Sequence, residues 1–176
     1  MIDFSYLVPG QELRLENINL AMRGPHQAAN AAIALATVAE LRHQGWCISS
    51  AAMRLGLSRA VLPGRVEILS ESPLIVLDTA HNPASARALV SALAELPPSE
   101  RKTLILSVSS DKDVPAIIRE LVPPFQRILV TQYQDNPRAV AADKLASQVD
   151  AELARRAQNL GGNDRTEVVD RVGRTI

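Results

Sequence analysis

The stretch from Leu74 to Pro83, LIVLDTAHNP, constrains the fold of this chain more than any other. Its first five residues form an apolar run closed by the carboxylate of Asp78, a pattern typical of a strand buried on both faces in a parallel sheet. The run is followed by His81, by a helix-capping side chain at Asn82 and by Pro83, which suits the first turn of a helix. The stretch therefore predicts a buried parallel strand, a polar loop and a helix N-terminus.

Such a polar loop is a candidate ligand site. In open α/β sheets, ligands bind at the carboxyl ends of strands, where helix N-termini direct N–H groups at anions. Asp78 can hold ribose hydroxyls, and His81 can contact phosphate. The alternative is that Asp78 and Asn82 are turn and cap residues and that His81 is a solvated loop histidine. Spacing alone leaves both interpretations open.

The rest of the chain alternates between short apolar runs and amphipathic segments at intervals typical of βαβ units, which predicts the α/β class. Polar loops follow each of the later runs. After Gly161 and Gly162 we expect no strand. The predicted strands are 66–69, 74–78, 104–106 and 128–130, and the predicted helices are 83–96, one carrying Ile117, Ile118 and Leu121, and 140–160.

The first third of the chain has a different pattern. Two alternating runs, 4–8 and 13–20, predict a small hairpin. An alanine-rich segment from His26 to about His43 predicts a helix, and a second helix is expected to begin at Ser49, its N-cap. Pro63-Gly64 then breaks the chain before the next strand.

Charge and composition exclude several classes of function. Nineteen basic residues balance nineteen acidic ones among 176 residues, so neither a nucleic-acid partner nor an anionic membrane surface is indicated. The single cysteine, Cys47, rules out an internal disulfide. No apolar run approaches the roughly 20 residues that span a bilayer. We expect a soluble, cytoplasmic protein.

Other polar residues have two interpretations each. Lys112, between Asp111 and Asp113, suits a phosphate contact or, more commonly, a solvated helix start. Arg65 follows a Pro-Gly turn and can reach a nucleotide or a surface carboxylate. His26 and Asn30 share a helix face near the helix start, close to Gln27. The three residues can form a binding group or a capping and packing cluster.

Several known sequence motifs are absent from these 176 residues. There is no GxGxxG fingerprint, no G-x-x-x-x-G-K-[ST] phosphate loop, no G-x-S-x-G elbow and no metal-ligand spacing. The residues by themselves thus predict an α/β domain with a polar crevice but no complete catalytic apparatus.

Four motifs in a fixed order resemble one family. They are GPHQAANAAIAL (24–35), LPGRVEIL (62–69), LDTAHNP (77–83) and DKD (111–113), with NPRA (136–139) as a further match. Together they closely resemble the C-terminal part of folylpolyglutamate synthase and dihydrofolate synthase, which belong to the Mur ligase superfamily. The resemblance covers roughly residues 20–145.

The resemblance implies a fold and a reaction. It implies a Rossmann-like, mostly parallel sheet with flanking helices over residues 63–176, preceded by residues 1–62 as the end of a central ATPase domain. The family uses ATP and magnesium to add L-glutamate to folate or dihydropteroate through an acyl phosphate, in folate biosynthesis and one-carbon metabolism. A monomer is expected for the full-length protein.

The resemblance also implies roles for four residues. Asn30, Arg65 and Asp78 match the family's nucleotide contacts, with Asp78 on the ribose. His81 matches the motif histidine that faces the reacting phosphate region. No metal ligand is expected in this chain, because the family's magnesium ligands and phosphate loop lie in the central domain.

Departures from the family pattern lead to further expectations. Thr79 stands where glycine is common, and little effect is expected from it. Residues 163–176 do not match the family's closing strand, so a truncated domain, inactive alone, is expected. Two alternatives remain open, a Mur ligase of peptidoglycan synthesis and a non-catalytic adenine-nucleotide-binding remnant.

Overall fold

The computed structural model describes residues 1–8, 11–160 and 167–171. These residues form two compact units. The first unit comprises Met1–Thr79 with Ser91–Glu95, and the second comprises Ala80–Val90 with Leu96–Ile176. The expected division between residues 62 and 63 stays a prediction.

A hairpin and two helices build the core of the first unit. Strands β1 (Ile2–Val8) and β2 (Gln11–Ile18) pair antiparallel, as their alternating patterns predict. Helices α1 (Pro25–His43) and α2 (Ser50–Arg59) follow. Apolar side chains from all four elements form one buried cluster, Phe4, Leu15, Ile18, Leu35 and Met53, so the hairpin and helices are held together by hydrophobic burial.

Local signals set both helix starts. Pro25 occupies the first turn of α1, where its missing N–H removes no hydrogen bond. The side chain of Ser49 caps α2 by accepting from the backbone N–H of Ala52 at 3.1 Å. The predicted helices at His26–His43 and after Ser49 are both confirmed.

The expectation of a doubly buried parallel strand at Leu74–Asp78 is wrong. Strand β4 (Leu74–Leu77) pairs antiparallel with β3 (Glu67–Glu71) in a two-stranded hairpin. Leu74, Ile75 and Leu77 are 41–46% exposed. An apolar run favours an extended conformation but does not determine which strand it pairs with. Here β3 ends only two residues before β4 begins, so the two strands pair as a hairpin.

A parallel sheet organises the second unit. Its strands, in the order β5, β6, β7, are Thr103–Leu106, Arg127–Val130 and Glu167–Arg171. Helices α4 (Val114–Leu121) and α5 (Ala142–Leu160) connect them, and α3 (Pro83–Leu93) contributes residues to both units. Ile117, Ile128, Leu145 and Val149 are fully buried, as expected for a sheet covered by helices. The mixed α/β class with a parallel sheet is confirmed.

The expectation of no strand beyond Gly162 is also wrong. Strand β7 pairs parallel with β6, with Ile128 opposite Val168. The two adjacent valines are a weak signal by themselves. A central buried strand such as β6 offers a complete row of backbone hydrogen-bonding groups, and this favours strand formation in a short segment beside it.

An ion pair on α5 is expected to make the stability of the fold depend on pH. Both nitrogens of the Arg155 guanidinium fork bind the buried carboxylate of Glu152, at 2.6 and 2.8 Å. These hydrogen bonds, aided by the charges of Arg155, Arg156 and Arg119 and opposed by burial, hold the pKa of Glu152 below its ordinary value of 4.5.

We expect the ion pair to stabilise the fold fully above pH 4.5 and to lose that contribution as the pH falls below it. Urea denaturation between pH 3 and 7 measures the free energy of unfolding as a function of pH. Glu152→Gln should reduce the fall of this free energy at acidic pH, whereas Glu95→Gln, at an exposed position, should not. An unchanged acid limb in Glu152→Gln would contradict the assignment.

Candidate functional site

The turn that carries Arg65 has an unusual backbone. Gly64 and Val66, on either side of Arg65, have positive φ angles of 68° and 48°. Left-handed backbone is rare for a β-branched residue such as Val66, which is only 2% exposed. Strained residues of this kind persist only where the surroundings hold them, and they are common at ligand sites.

Hydrogen bonds with Asp78 and Thr79, which follow β4, and with Glu67 of β3 hold this turn. The Asp78 carboxylate accepts from the backbone N–H of Val66 at 2.8 Å. The Gly64 carbonyl accepts from the Thr79 N–H at 2.9 Å and from the Thr79 hydroxyl at 3.1 Å. The Gly64 N–H donates to Glu67 Oε2 at 2.7 Å. We call residues 64–67 with Asp78 and Thr79 the Arg65 clasp, since these bonds hold the residues on either side of Arg65.

The Thr79 side chain therefore contacts Gly64 in two ways. Besides the hydroxyl bond, its Cγ2 methyl lies 2.7 Å from where a Cβ atom on Gly64 would be. Glycine at 64 is required both by its φ angle and by this close approach. Sequence reasoning expected little effect from Thr79 and did not single out Glu67, because Thr79 meets its partner fifteen residues away and Glu67 meets it across a tight turn.

A second polar group lies at the N-terminus of α1. Asn30 is exposed, and its Nδ2 donates to Gln27 Oε1 at 3.0 Å. Gln27 is only 4% exposed, and its Nε2 lies 3.0 Å from His26 Nε2. The prediction that His26 and Asn30 share a face is thus refined, because Gln27 joins them. The three-residue spacing of Gln27 and Asn30 is the signal that predicts this contact.

His81 lies just before α3. The Asn82 side chain accepts from the Ser85 N–H at 2.8 Å, and the Ser85 hydroxyl accepts from the backbone N–H groups of His81 and Asn82 at 3.0 and 3.1 Å. The predicted capping role of Asn82 and the helix start at Pro83 are confirmed. His81 is exposed and belongs to the second unit, whereas Asn30, Arg65 and Asp78 belong to the first.

Loops after β5 and β6 meet at one edge of the parallel sheet. Asp111 binds Lys112 at 3.0 Å and lies 3.8 Å from Arg138, while the Ser110 N–H donates to the Arg138 carbonyl. The Lys112 hydrogen bond, aided by the charges of Lys112 and Arg138 and opposed by burial, lowers the pKa of Asp111. Asp113 caps α4. These contacts favour the helix-start interpretation of the DKD motif.

The polar side chains of Arg65, Asp78 and Asn30 suit a nucleotide better than a metal ion. A half-buried guanidinium, a carboxylate and an exposed amide are the groups that bind phosphate, ribose and base. Within residues 1–8, 11–160 and 167–171, no group of three or more His, Cys, Asp or Glu side chains could hold a metal ion. None of the helices described combines the length and apolar content that a membrane crossing requires.

Known proteins resemble this chain in sequence. Residues 64–174 match the family described as Mur ligase, glutamate ligase domain. The dihydrofolate synthase/folylpolyglutamate synthase of Mycobacterium tuberculosis is 37% identical over 148 residues, which cover 79% of this chain and 30% of that protein.

Solved structures resemble it in fold. Mycobacterium tuberculosis folylpolyglutamate synthase complexed with ADP superimposes with a TM-score of 0.75 at 30% identity, covering 96% of this chain and 36% of that one. The bifunctional folylpolyglutamate synthase/dihydrofolate synthase of Yersinia pestis complexed with AMPPNP and Mn gives 0.67 at 32% identity, covering 90% and 38%. This chain thus spans well under two thirds of each relative. Because its family match covers more than half of its residues, the chain belongs to the Mur ligase family, through the glutamate ligase domain.

Proposed function

We propose that the chain forms the nucleotide- and amino-acid-binding part of an ATP-dependent ligase that adds L-glutamate to folate or dihydropteroate. The observation that carries the proposal is the Arg65 clasp, in which Asp78 holds a strained turn beside Arg65. The similarity to folylpolyglutamate synthases, one of them complexed with ADP, supports the choice of ligand and reaction. It also favours folate over a peptidoglycan precursor.

Three residues of the first unit contact the nucleotide in this proposal. Arg65 binds phosphate oxygens, because a guanidinium offers several donors in a fixed fork. Asp78 accepts from the ribose hydroxyls, and a carboxylate has about four acceptor sites, enough to hold the Val66 N–H as well. Asn30 contacts the base. Asn30 and Asp78 are each held by a side-chain hydrogen bond, and the residues on either side of Arg65 are held by the clasp.

His81 faces the reacting phosphate. It lies beside the N-terminus of α3, where free N–H groups and the helix dipole favour negative charge. Its imidazole supplies a donor to the phosphoryl oxygens as the acyl phosphate forms. The glutamate amine then attacks the acyl carbon, and phosphate leaves.

Ligation also needs groups that these residues do not supply. No phosphate-loop motif occurs in the 176 residues, and in this proposal the magnesium ligands lie in the central ATPase domain. The proposed division therefore assigns residues 1–62 to the end of an ATPase domain and 63–176 to the Mur ligase C-terminal domain. The isolated chain binds nucleotide without catalysing ligation, and the full-length ligase acts as a monomer.

Calorimetric titration with ADP and a glutamate ligation assay test this proposal. The chain should bind ADP, Arg65→Ala should weaken binding at least tenfold, and Arg101→Ala, at an exposed position, should not. The chain should form no glutamyl product from ATP, magnesium and tetrahydrofolate. A folded chain that binds no ADP contradicts the nucleotide site, and robust ligation contradicts the claim that the isolated chain does not catalyse the reaction.

A further inference from the structure

Thr79 places both branches of its side chain against Gly64, the residue that precedes Arg65. Its hydroxyl donates to the Gly64 carbonyl at 3.1 Å, and its Cγ2 methyl lies 2.7 Å from where a Cβ atom on Gly64 would be. A β-branched side chain with one branch hydrogen-bonded and the other packed has little freedom about χ1. The Thr79 side chain is therefore a rigid part of the Arg65 clasp.

The two peptide planes that flank the Cα atom of Arg65 are each held from outside the turn. The plane before it contains the Gly64 carbonyl, which accepts from both the N–H and the hydroxyl of Thr79. The plane after it contains the Val66 N–H, which donates to Asp78 Oδ2 at 2.8 Å. Because peptide units are planar, the relation between these two planes sets φ and ψ of Arg65. Thr79 and Asp78 together thus determine the direction in which the Arg65 side chain leaves the backbone.

The turn needs such restraint to keep its shape. Val66 has a φ angle of 48°, which is strained for a β-branched residue and persists only where the surroundings hold it. Arg65 is half-buried, and within the described part of the chain its guanidinium forms no hydrogen bond or ion pair. The turn therefore presents a cation that is available to an anion.

We propose that Thr79 is a positioning residue for Arg65, and that its hydroxyl holds the turn in the shape that directs the guanidinium at the nucleotide phosphates. The inference rests on the proposed function, in which Arg65 binds phosphate oxygens. Glycine, which is common at this position in the family, has no hydroxyl and cannot supply this restraint.

The size of the effect follows from the strength of the bond that is lost. Without the hydroxyl bond, part of the population leaves the strained shape, and the apparent affinity falls with the fraction of chains that stay competent to bind. One hydrogen bond of ordinary net strength corresponds to about a fivefold loss of ADP affinity.

Four variants isolate the hydroxyl group. Thr79→Val replaces it with a methyl group of similar size, Thr79→Ala removes both branches and adds no new contact, and Thr79→Ser keeps the hydroxyl. Thr37→Val is the matched control, because the Thr37 hydroxyl also donates to a backbone carbonyl, that of Ile33 at 2.9 Å, but within α1.

The first measurement is the NOE between the amide proton and the Hα proton of Val66 in the nucleotide-free chain. These two protons are closest at positive φ, so the NOE is strong while the turn keeps its shape. It should weaken in Thr79→Val and Thr79→Ala and stay strong in Thr79→Ser and Thr37→Val. A strong NOE in all four variants would overturn the proposal.

The second measurement is calorimetric titration with ADP, with and without Arg65→Ala. Thr79→Val and Thr79→Ala should each weaken binding about fivefold, whereas Thr79→Ser and Thr37→Val should bind within twofold of the unmodified chain. In the Arg65→Ala background, adding Thr79→Val or Thr79→Ala should change the affinity by less than twofold, because Thr79 acts through Arg65. A purely structural role of Thr79 would not depend on Arg65 in this way.

Two sets of outcomes distinguish the inference from the proposed function. Unchanged affinity in Thr79→Val and Thr79→Ala, or a fivefold loss that persists in the Arg65→Ala background, overturns the inference while the proposed function stands. A folded chain that binds no ADP, or an Arg65→Ala chain that binds ADP as tightly as the unmodified chain, contradicts the proposed function and the inference with it.

Discussion

Replacing Gly64 with alanine is expected to lower the free energy of unfolding by about 2–4 kcal/mol. The φ angle of 68° places this residue in the left-handed region, where a side chain is strained. The new methyl group would also lie 2.7 Å from the Thr79 Cγ2 methyl, which the two hydrogen bonds to the Gly64 carbonyl hold in place. Urea denaturation followed by circular dichroism measures the loss.

Substitutions at two other glycines separate the effect of backbone strain from that of the steric contact. Gly45 has a φ angle of 95° but open space around its Cα atom, so Gly45→Ala should show the backbone strain without the clash. Gly56 lies within α2 with nothing near it, and Gly56→Ala should stabilise the helix by about 0.5–1 kcal/mol. Adding Thr79→Ser to Gly64→Ala should recover the steric part, since serine keeps the hydroxyl and lacks the methyl. A Gly64→Ala loss no larger than that of Gly45→Ala would refute the close contact.

Replacing Asp78 with alanine should have two separable effects. The Val66 N–H loses its acceptor in a buried turn, which costs about 1–3 kcal/mol of stability. In the proposed function the nucleotide also loses its ribose contact and a correctly placed Arg65, so the ADP affinity should fall at least tenfold. Asp78→Asn keeps an oxygen that can hold the Val66 N–H, and should therefore retain most of the stability while ADP affinity still falls.

Asp3 provides the matched control for Asp78. Its carboxylate also accepts from a backbone N–H, that of Asn17 at 2.7 Å, but in the β1–β2 hairpin. Asp3→Ala should lower stability without changing the ADP affinity measured by calorimetry. An Asp78→Ala chain that binds ADP within twofold of the unmodified chain would exclude Asp78 from the nucleotide site.

Features governed by neighbouring residues were predictable from the sequence. The caps at Ser49 and Asn82 and the helix start at Pro83 depend on hydrogen bonds over three or four positions, and local patterns report such bonds directly. The same holds for α1 and for the β1–β2 hairpin, whose two runs lie close together in the sequence.

Features governed by distant residues were not predictable. The run at Leu74–Leu77 fixed an extended conformation, but its antiparallel pairing with β3 depends on which backbone is near. Strand β7 forms because β6 offers a partner, although its own sequence signal is weak. The bond from Asp78 to Val66 spans twelve residues and supports a φ angle that no propensity would assign to valine.

Nitrogen–proton NMR spectra recorded during an ADP titration test the central claim most directly. If the Arg65 clasp and Asn30 bind the nucleotide, the amide signals of residues 64–67, 78 and 79 and the side-chain amide of Asn30 should shift together and saturate at one affinity. Signals from the β1–β2 hairpin should stay in place. Saturating shifts confined to other residues, or a well-dispersed spectrum that ADP leaves unchanged, would contradict the claim.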